Sequence, residues 1–209
     1  MKKQYCIDFS LSKPIINAEL ITIPDLEIPG KIAIDWNNPK SNADLRFSFN
    51  EKEFFNNFFE ACSSLDQAKL NEMCQLILEK KESQNKVLVF GNGGSAAIAS
   101  HFSTDLIRAV RVRGVNFNEA SLITCFSNDF GYGEWISETI KAHADPGDLV
   151  VLISSSGNSL NMVNAAHLCH SINLELVTFS GFSEENNLKK LGNLNFWVNS
   201  ENYNVVENT

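Results

Sequence analysis

From residue 86 onward, short apolar runs alternate with segments whose apolar residues recur at helical spacing. The five apolar runs are KVLVF, SLITCF, DLVVLIS, LELVTFS and LNFWVN. Strands that alternate with helices are typical of a parallel sheet, and continuous apolar strands indicate that both faces of the sheet are covered. The sequence therefore predicts an α/β three-layer sandwich with a five-stranded parallel sheet flanked by helices.

The first 82 residues divide into two further parts. Residues 1–50 carry four of the five prolines, and proline interrupts helices and central strands. We expect an extended N-terminal arm with short edge strands, or alternatively a disordered tail. In residues 51–82, pairs of phenylalanines recur every turn and predict a helix that needs burial on two sides. A subunit interface and a thick core within the chain both explain that stripe.

Composition restricts the class of protein. Hydrophobic residues make up 44% and charged residues 20%, which is typical of a globular protein. The net charge of −8 comes with no basic stripe, so direct nucleic-acid binding is not expected. No apolar run approaches the length of a membrane helix. The five cysteines form no C-x-x-C pair, which excludes the common zinc-finger and redox motifs and predicts reduced, mostly buried thiols in a cytoplasmic protein.

Four loops should lie together, because ligands of parallel sheets gather at the carboxyl ends of the strands. These loops are GNGGS, SND, SSSGNS and SGF. Two of them open onto helices, whose free N–H groups suit a phosphate. One such loop is weak evidence, because it can be a serine-rich helix cap without a ligand, but two at neighbouring strands favour a phosphorylated or polar small ligand. GNGGSA matches neither a P-loop nor a dinucleotide fingerprint, so ATP and NAD are disfavoured.

Three acidic or imidazole side chains are candidates for chemistry. His101 and Asp105 are four residues apart on one helix face, so they can bind one metal, act as a base with its partner, or simply form a polar surface contact. Asp129 follows SLITCF, the second predicted strand, and is expected either to join the same pocket or to form a turn.

Four segments together resemble a known protein family. They are GNGGSAAIASHFSTDL, SNDFGYG, PGDLVVLISSSGNS and LVTFSG. From about residue 52 to its end, the chain resembles the sugar isomerase (SIS) domain family. Within that family it looks like the phosphoheptose isomerase branch, which converts sedoheptulose 7-phosphate into a heptose 7-phosphate. The resemblance implies an enediol mechanism and a homotetramer whose sites are shared between subunits.

The resemblance also implies roles for particular residues. The phosphate of the sugar would contact Ser154, Ser156 and Ser159. The sugar itself would contact Asn92, Gly93, Ser95 and Asp129. Asp105 would be the base, and a zinc ion would be bound by His101 and Asp105 with Glu207 as the candidate third ligand.

The sequence departs from the family pattern in two places. The family has a glutamate where this chain has Asp105, which reaches one methylene less far. The family's last helix carries a glutamine ligand and then a histidine, whereas here Glu207 stands near the glutamine position and the chain ends before the histidine. An alternative function is therefore a non-catalytic phosphosugar-binding protein that acts through a protein partner.

Overall fold

The computed structural model describes residues 51–209, and the predicted arm at residues 1–50 lies outside the described residues. The strands are β1 (Lys86–Gly91), β2 (Arg113–Asn116), β3 (Leu149–Ser154), β4 (Glu175–Ser180) and β5 (Leu194–Trp197). The helices are α1 (Glu51–Ser63), α2 (Gln67–Glu82), α3 (Gly94–Asp105), α4 (Ala120–Phe130), α5 (Trp135–His143), α6 (Leu160–Ser171) and α7 (Tyr203–Asn208). A π-helical turn at Leu106–Val110 continues α3.

The five strands form one parallel sheet in the order β2-β1-β3-β4-β5. This confirms the predicted sheet and the α/β class. The strand order reverses between β1 and β3, which are neighbours in the sheet although they are distant in sequence. A crevice opens at such a switch point, because the connections after the two strands leave toward opposite faces.

Side chains of the central strands alternate between two cores. On one face, Leu88 and Phe90 pack with residues of α5 and α6. On the other face, Val87 and Val89 pack with residues of α2 and α3. All four are at most 1% exposed. The continuous apolar runs therefore reflect burial on both faces, as the sequence predicted.

One strand prediction was wrong. SLITCF, at residues 121–126, lies in α4, and the edge strand is β2 instead. The Glu119 side chain caps this helix by accepting hydrogen bonds from the backbone amides of Ser121 and Leu122. These bonds, together with one from the Ser121 hydroxyl, lower the pKa of the Glu119 carboxyl. A short apolar run does not distinguish a strand from a packed helix, and here the cap starts a helix.

The phenylalanine-rich segment at residues 51–82 forms two helices rather than one. The Asp66 side chain accepts a hydrogen bond from the backbone amide of Ala68 at 2.8 Å, and it starts α2 after a break. In α1, Phe54 packs against the cluster of Ala61, Val198 and Val205. On the other side of α1, Phe55 and Phe59 are 51% and 62% exposed. Within the described part of the chain, only one side of the stripe is covered.

The cysteines of residues 51–209 are all free, but they are less buried than predicted. Cys169 is buried among apolar side chains, which raises the pKa of its thiol to about 12. Cys74 and Cys125 are exposed, so the prediction of mostly buried thiols was wrong for both. Among the helices of this part, none is long and apolar enough to cross a membrane.

A buried carboxylate joins the amino ends of β1 and β3. Asp148 accepts hydrogen bonds from the backbone amides of Lys86 and Asp145, at 2.7 Å and 2.8 Å. The Lys86 ammonium lies 2.8 Å from the same carboxylate. Burial by itself would raise the pKa of the Asp148 carboxyl, but these hydrogen bonds and the Lys86 charge outweigh it and leave the pKa below its ordinary value.

We predict that this carboxylate makes the fold sensitive to acid. A carboxyl whose pKa is lowered in the folded state stabilises the protein above its unfolded pKa of about 3.9, and it loses that contribution as the pH falls through its folded pKa. Asp148→Asn should lower the free energy of unfolding by about 2 kcal/mol at pH 7 and should flatten its decline below about pH 4. Urea unfolding across this pH range measures both effects.

The control is Asp145→Asn, because the Asp145 side chain is 70% exposed although it also pairs with Lys86. An exposed ion pair of this kind contributes about 0–1 kcal/mol. If Asp148→Asn cost no more than this control at pH 7, the buried carboxylate would not be a main stabilising contact.

Candidate functional site

The glycine-rich turn after β1 needs glycine for two separate reasons. A Cβ on Gly91 would lie 2.2 Å from the backbone oxygen of Ser95, so only glycine allows the strand to pass this close to α3. Gly93 has a φ of +55° and occupies the N-cap position of α3, where an L side chain would be strained. Nothing lies within 4 Å of the place where a Cβ on Gly93 would be, so the turn is open at this residue.

The serine loop, residues 154–159, winds around the start of α6. Ser159 occupies the N-cap position of that helix, and its hydroxyl lies 3.5 Å from the hydroxyl of Ser154. The Ser156 hydroxyl accepts a hydrogen bond from the backbone amide of Asn158 at 3.3 Å. Three hydroxyls thus lie in the short loop that leads into a helix N-terminus, an arrangement that suits an anion.

The loop after β4 holds the serine loop in place, which the sequence did not reveal. The backbone amide of Leu188 donates to the carbonyl of Gly157 at 2.9 Å, and that of Gly181 donates to the carbonyl of Ser155 at 2.9 Å. The side chain of Asn186 is 1% exposed and packs against Gly157, where a Cβ would lie 2.1 Å from its Oδ1 atom. The serine loop is therefore braced by its neighbour.

The predicted sugar contacts do not all lie on one side of the sheet. Asn92 bonds to Asn161 at the start of α6, beside the serine loop. Ser95 is buried and lines an apolar pocket on the opposite face, together with Ile98, Phe179 and Glu207. This pocket also has Ser155 in its wall.

Asp129 lies on a helix rather than after a strand. It is exposed near the end of α4, and its carboxylate contacts Asn128 and Cys125 within the same helix. The expectation that it follows a strand was wrong, because the segment before it is helical. Its contact with a sugar stays a prediction.

His101 and Asp105 meet as their spacing predicted. The Nε2 atom of His101 lies 3.3 Å from a carboxylate oxygen of Asp105, and Arg108 approaches the other oxygen to 3.5 Å. Asp105 is the last residue of α3 before the π-helical turn, and such turns often occur at functional sites. Along the helix axis, Asp105 lies about 16 Å from Gly94.

Glu207 lies apart from this pair. Its carboxylate accepts a hydrogen bond from the hydroxyl of Ser155 at 3.3 Å and covers Gly94, seven residues before His101. That is about 10 Å along the helix axis. Among residues 51–209, no three histidine, cysteine, aspartate or glutamate side chains converge on one point.

A catalytic zinc ion needs three protein ligands, and the described residues bring only two of the predicted three together. They do not fit a complete zinc site, and zinc binding by this chain stays a prediction. The pair His101–Asp105 still provides a carboxylate beside an imidazole, and these two groups can act as general base and general acid.

Comparison with known proteins identifies the fold family. The sequence profile of the SIS domain matches residues 52–181. This chain belongs to the SIS domain family. A phosphoheptose isomerase of Neisseria gonorrhoeae, GmhA, has a similar structure, with a TM-score of 0.69 and 25% identity over 76% of this chain and 87% of that one.

The sequence relatives lie in the phosphoheptose isomerase branch. The phosphoheptose isomerase of Chromohalobacter salexigens is 34% identical over 113 residues, which are 51% of this chain and 57% of the relative. That of Helicobacter pylori is 30% identical over 139 residues, which are 63% of this chain and 72% of the relative. The match to the first of these spans little more than half of that relative's length.

The bracing of the serine loop generates a prediction about Gly157. Gly157→Ala combines a positive φ of 63° with a clash against Asn186. We therefore expect it to lower the free energy of unfolding by about 3–4 kcal/mol and to remove sugar-phosphate binding.

The control is Gly131→Ala, where φ is +88° but nothing lies near the added methyl group. It should cost about 1–2 kcal/mol and leave binding intact. Chemical unfolding and calorimetric titration measure the two effects, and equal losses in both variants would refute the brace.

Proposed function

We propose that this chain is a phosphosugar isomerase of the phosphoheptose isomerase type, which converts sedoheptulose 7-phosphate into D-glycero-D-manno-heptose 7-phosphate. The observation that carries the proposal is the position of the serine loop. It lies at the β1/β3 switch point of a SIS fold, next to a glycine-rich turn whose helix ends in an acid–base pair. Relatives that are 30–34% identical are phosphoheptose isomerases, which supports the same reaction class.

The chemistry requires one proton transfer between adjacent carbons. A base removes a proton from C1 of the ketose while the C2 carbonyl oxygen receives a proton, which gives an enediol. Loss of the proton from the O1 hydroxyl and protonation at C2 then give the aldose, so atoms and charges balance. The Asp105 carboxylate is the proposed base, and His101 at 3.3 Å is its proton-exchange partner.

The phosphate anchors the ligand away from the reacting carbons. The serine hydroxyls and the N-terminus of α6 would bind it, because both provide hydrogen-bond donors without a full positive charge. Holding a non-reacting group in this way positions the reacting carbons against the base.

Two arrangements can bring Asp105 to a sugar bound at the serine loop. The ligand can extend along α3 of the same chain, or a second copy can supply His101 and Asp105. The second arrangement fits the exposure of the pair, since the His101 side chain is 82% exposed and that of Asp105 is 42% exposed. The exposed phenylalanines of α1 also provide an apolar surface for such an assembly. We therefore propose a homo-oligomer with shared sites.

The first test is direct conversion of sedoheptulose 7-phosphate, followed by chromatographic separation of the heptose 7-phosphates. Parallel reactions with added zinc and with chelator separate metal-assisted from metal-free turnover. We expect product from the wild-type chain and none from Ser156→Phe, because the phenylalanine ring would fill the phosphate position. The matched control is Ser171→Phe at the exposed end of α6. Tight binding without turnover would instead support the phosphosugar-binding function.

The second test concerns Asp105. Asp105→Asn should lower kcat by a factor of about 100 or more, because it removes the base while keeping the shape. Asp105→Glu should keep activity, because it retains the carboxylate and extends its reach by one methylene. Steady-state kinetics with an unchanged far-UV spectrum measure this. An unaffected kcat in Asp105→Asn would assign the base to another residue.

Mixing experiments test whether the sites are shared. When inactive Ser156→Phe and Asp105→Asn chains are co-expressed, a shared site regains activity wherever a wild-type loop faces a wild-type Asp105. We expect such recovery. If none appeared although the two chains co-purified, each chain would carry its own complete site.

A further inference from the structure

A reciprocal pair of amide hydrogen bonds joins the glycine-rich turn to the start of α6. The Nδ2 atom of Asn92 donates to Oδ1 of Asn161, and Nδ2 of Asn161 donates to Oδ1 of Asn92, each at 3.0 Å. The hydroxyl of Tyr132, from the turn between α4 and α5, donates to the same Oδ1 of Asn92 at 3.0 Å. Asn161 is 1% exposed, whereas Tyr132 is 55% exposed. Three connections of the fold thus meet in one polar network.

The direction of these bonds is determined by the backbone. An amide oxygen and nitrogen have nearly the same shape, so their assignment depends on a neighbour of fixed character. The backbone N–H of Met162 can only donate, and it lies 3.0 Å from Oδ1 of Asn161 while also donating to the carbonyl of Ser159. This fixes the amide of Asn161, and the reciprocal pair then fixes the amide of Asn92.

The network leaves a defined set of groups for a ligand. Oδ1 of Asn92 accepts two hydrogen bonds, so both of its lone pairs are used. One N–H of Asn92 is used by Asn161, and the other remains for a ligand. The Tyr132 hydroxyl donates its hydrogen to Asn92, so its oxygen can only accept a further hydrogen bond.

We propose that Asn161 and Tyr132 are positioning residues that make Asn92 a hydrogen-bond donor, and that the Tyr132 oxygen accepts from a sugar hydroxyl beside it. One remaining donor, on Asn92, and one remaining acceptor, on Tyr132, match the hydroxyl groups of a sugar, which both accept and donate. It does not match a phosphate, which would be repelled by the Tyr132 oxygen. The network is therefore expected to bind the sugar hydroxyls of the ligand and not its phosphate group. This inference rests on the proposed function, since it assigns the sugar end of that same site.

The experiment compares two ligands by calorimetric titration: sedoheptulose 7-phosphate and inorganic phosphate. Tyr132→Phe removes only a hydroxyl from an exposed ring, and we expect about tenfold weaker binding of sedoheptulose 7-phosphate with phosphate binding unchanged within about twofold. Asn161→Ala should have the same effect, because Asn92 is then free to turn its oxygen to the ligand. The matched control is Tyr203→Phe in α7, a tyrosine of similar exposure, which should change neither affinity.

Unchanged affinity for the sugar phosphate in Tyr132→Phe would overturn the inference. Equal loss of both ligands would also overturn it, because the network would then only support the loops. A ligand-free measurement separates this inference from the proposed function. The side-chain amide resonances of Asn92 should shift in Tyr132→Phe, and unchanged resonances would refute the network itself. The resonances can instead shift while the wild-type chain binds sedoheptulose 7-phosphate no more tightly than inorganic phosphate. In that case the proposed function is wrong, and so is the proposed contact of Asn92 and Tyr132 with the sugar.

Discussion

The pairing of β1 with β3 is the contact on which the rest of the described structure depends. Residues 87–91 pair in parallel with residues 149–153, and both strands lie in the middle of the sheet. Because the pairing is parallel, the glycine-rich turn and the serine loop leave the sheet at the same edge. A change of register by one residue would exchange the two cores and move the loops apart. The buried apolar strands that hold this register therefore also determine the geometry of the site.

Beyond this pairing, the site is held by polar contacts between loops. Asn186 and the backbone of Gly181 and Leu188 support the serine loop, while Asn161 fixes the amide of Asn92. The amides of Asn186 and Asn161 are buried and hydrogen-bonded to neighbouring loops, so they hold these loops in place and little reorganisation is needed to meet a ligand. The acid–base pair is different, because it lies on the exposed surface of α3. The proposed phosphate site at the start of α6 and the proposed base on α3 therefore lie on different elements of the fold.

The sequence predicted those elements of the fold whose pattern of apolar residues matches the burial of their side chains. Four strands were found because their apolar runs are continuous and covered on both faces. The sequence does not reveal β2, because RGVN is short and begins with arginine and glycine. SLITCF has the pattern of a strand but forms a helix, because the Glu119 side chain caps its amino end. The two ligand loops were predicted from glycine and serine content. The Asn92–Asn161 pair was not, because its members are 69 residues apart and no local pattern marks such a contact.

Asp148 and the serine loop occupy opposite ends of the same strand, β3. Asp148, which we predict to make the fold sensitive to acid, is therefore separated from the serine loop by the whole length of β3. Substitutions at the amino end of β3 can therefore change stability without touching the serine loop. Stability and ligand recognition can consequently evolve under independent selection, and a more heat-stable form of this chain is best sought by substitutions at the amino ends of the strands.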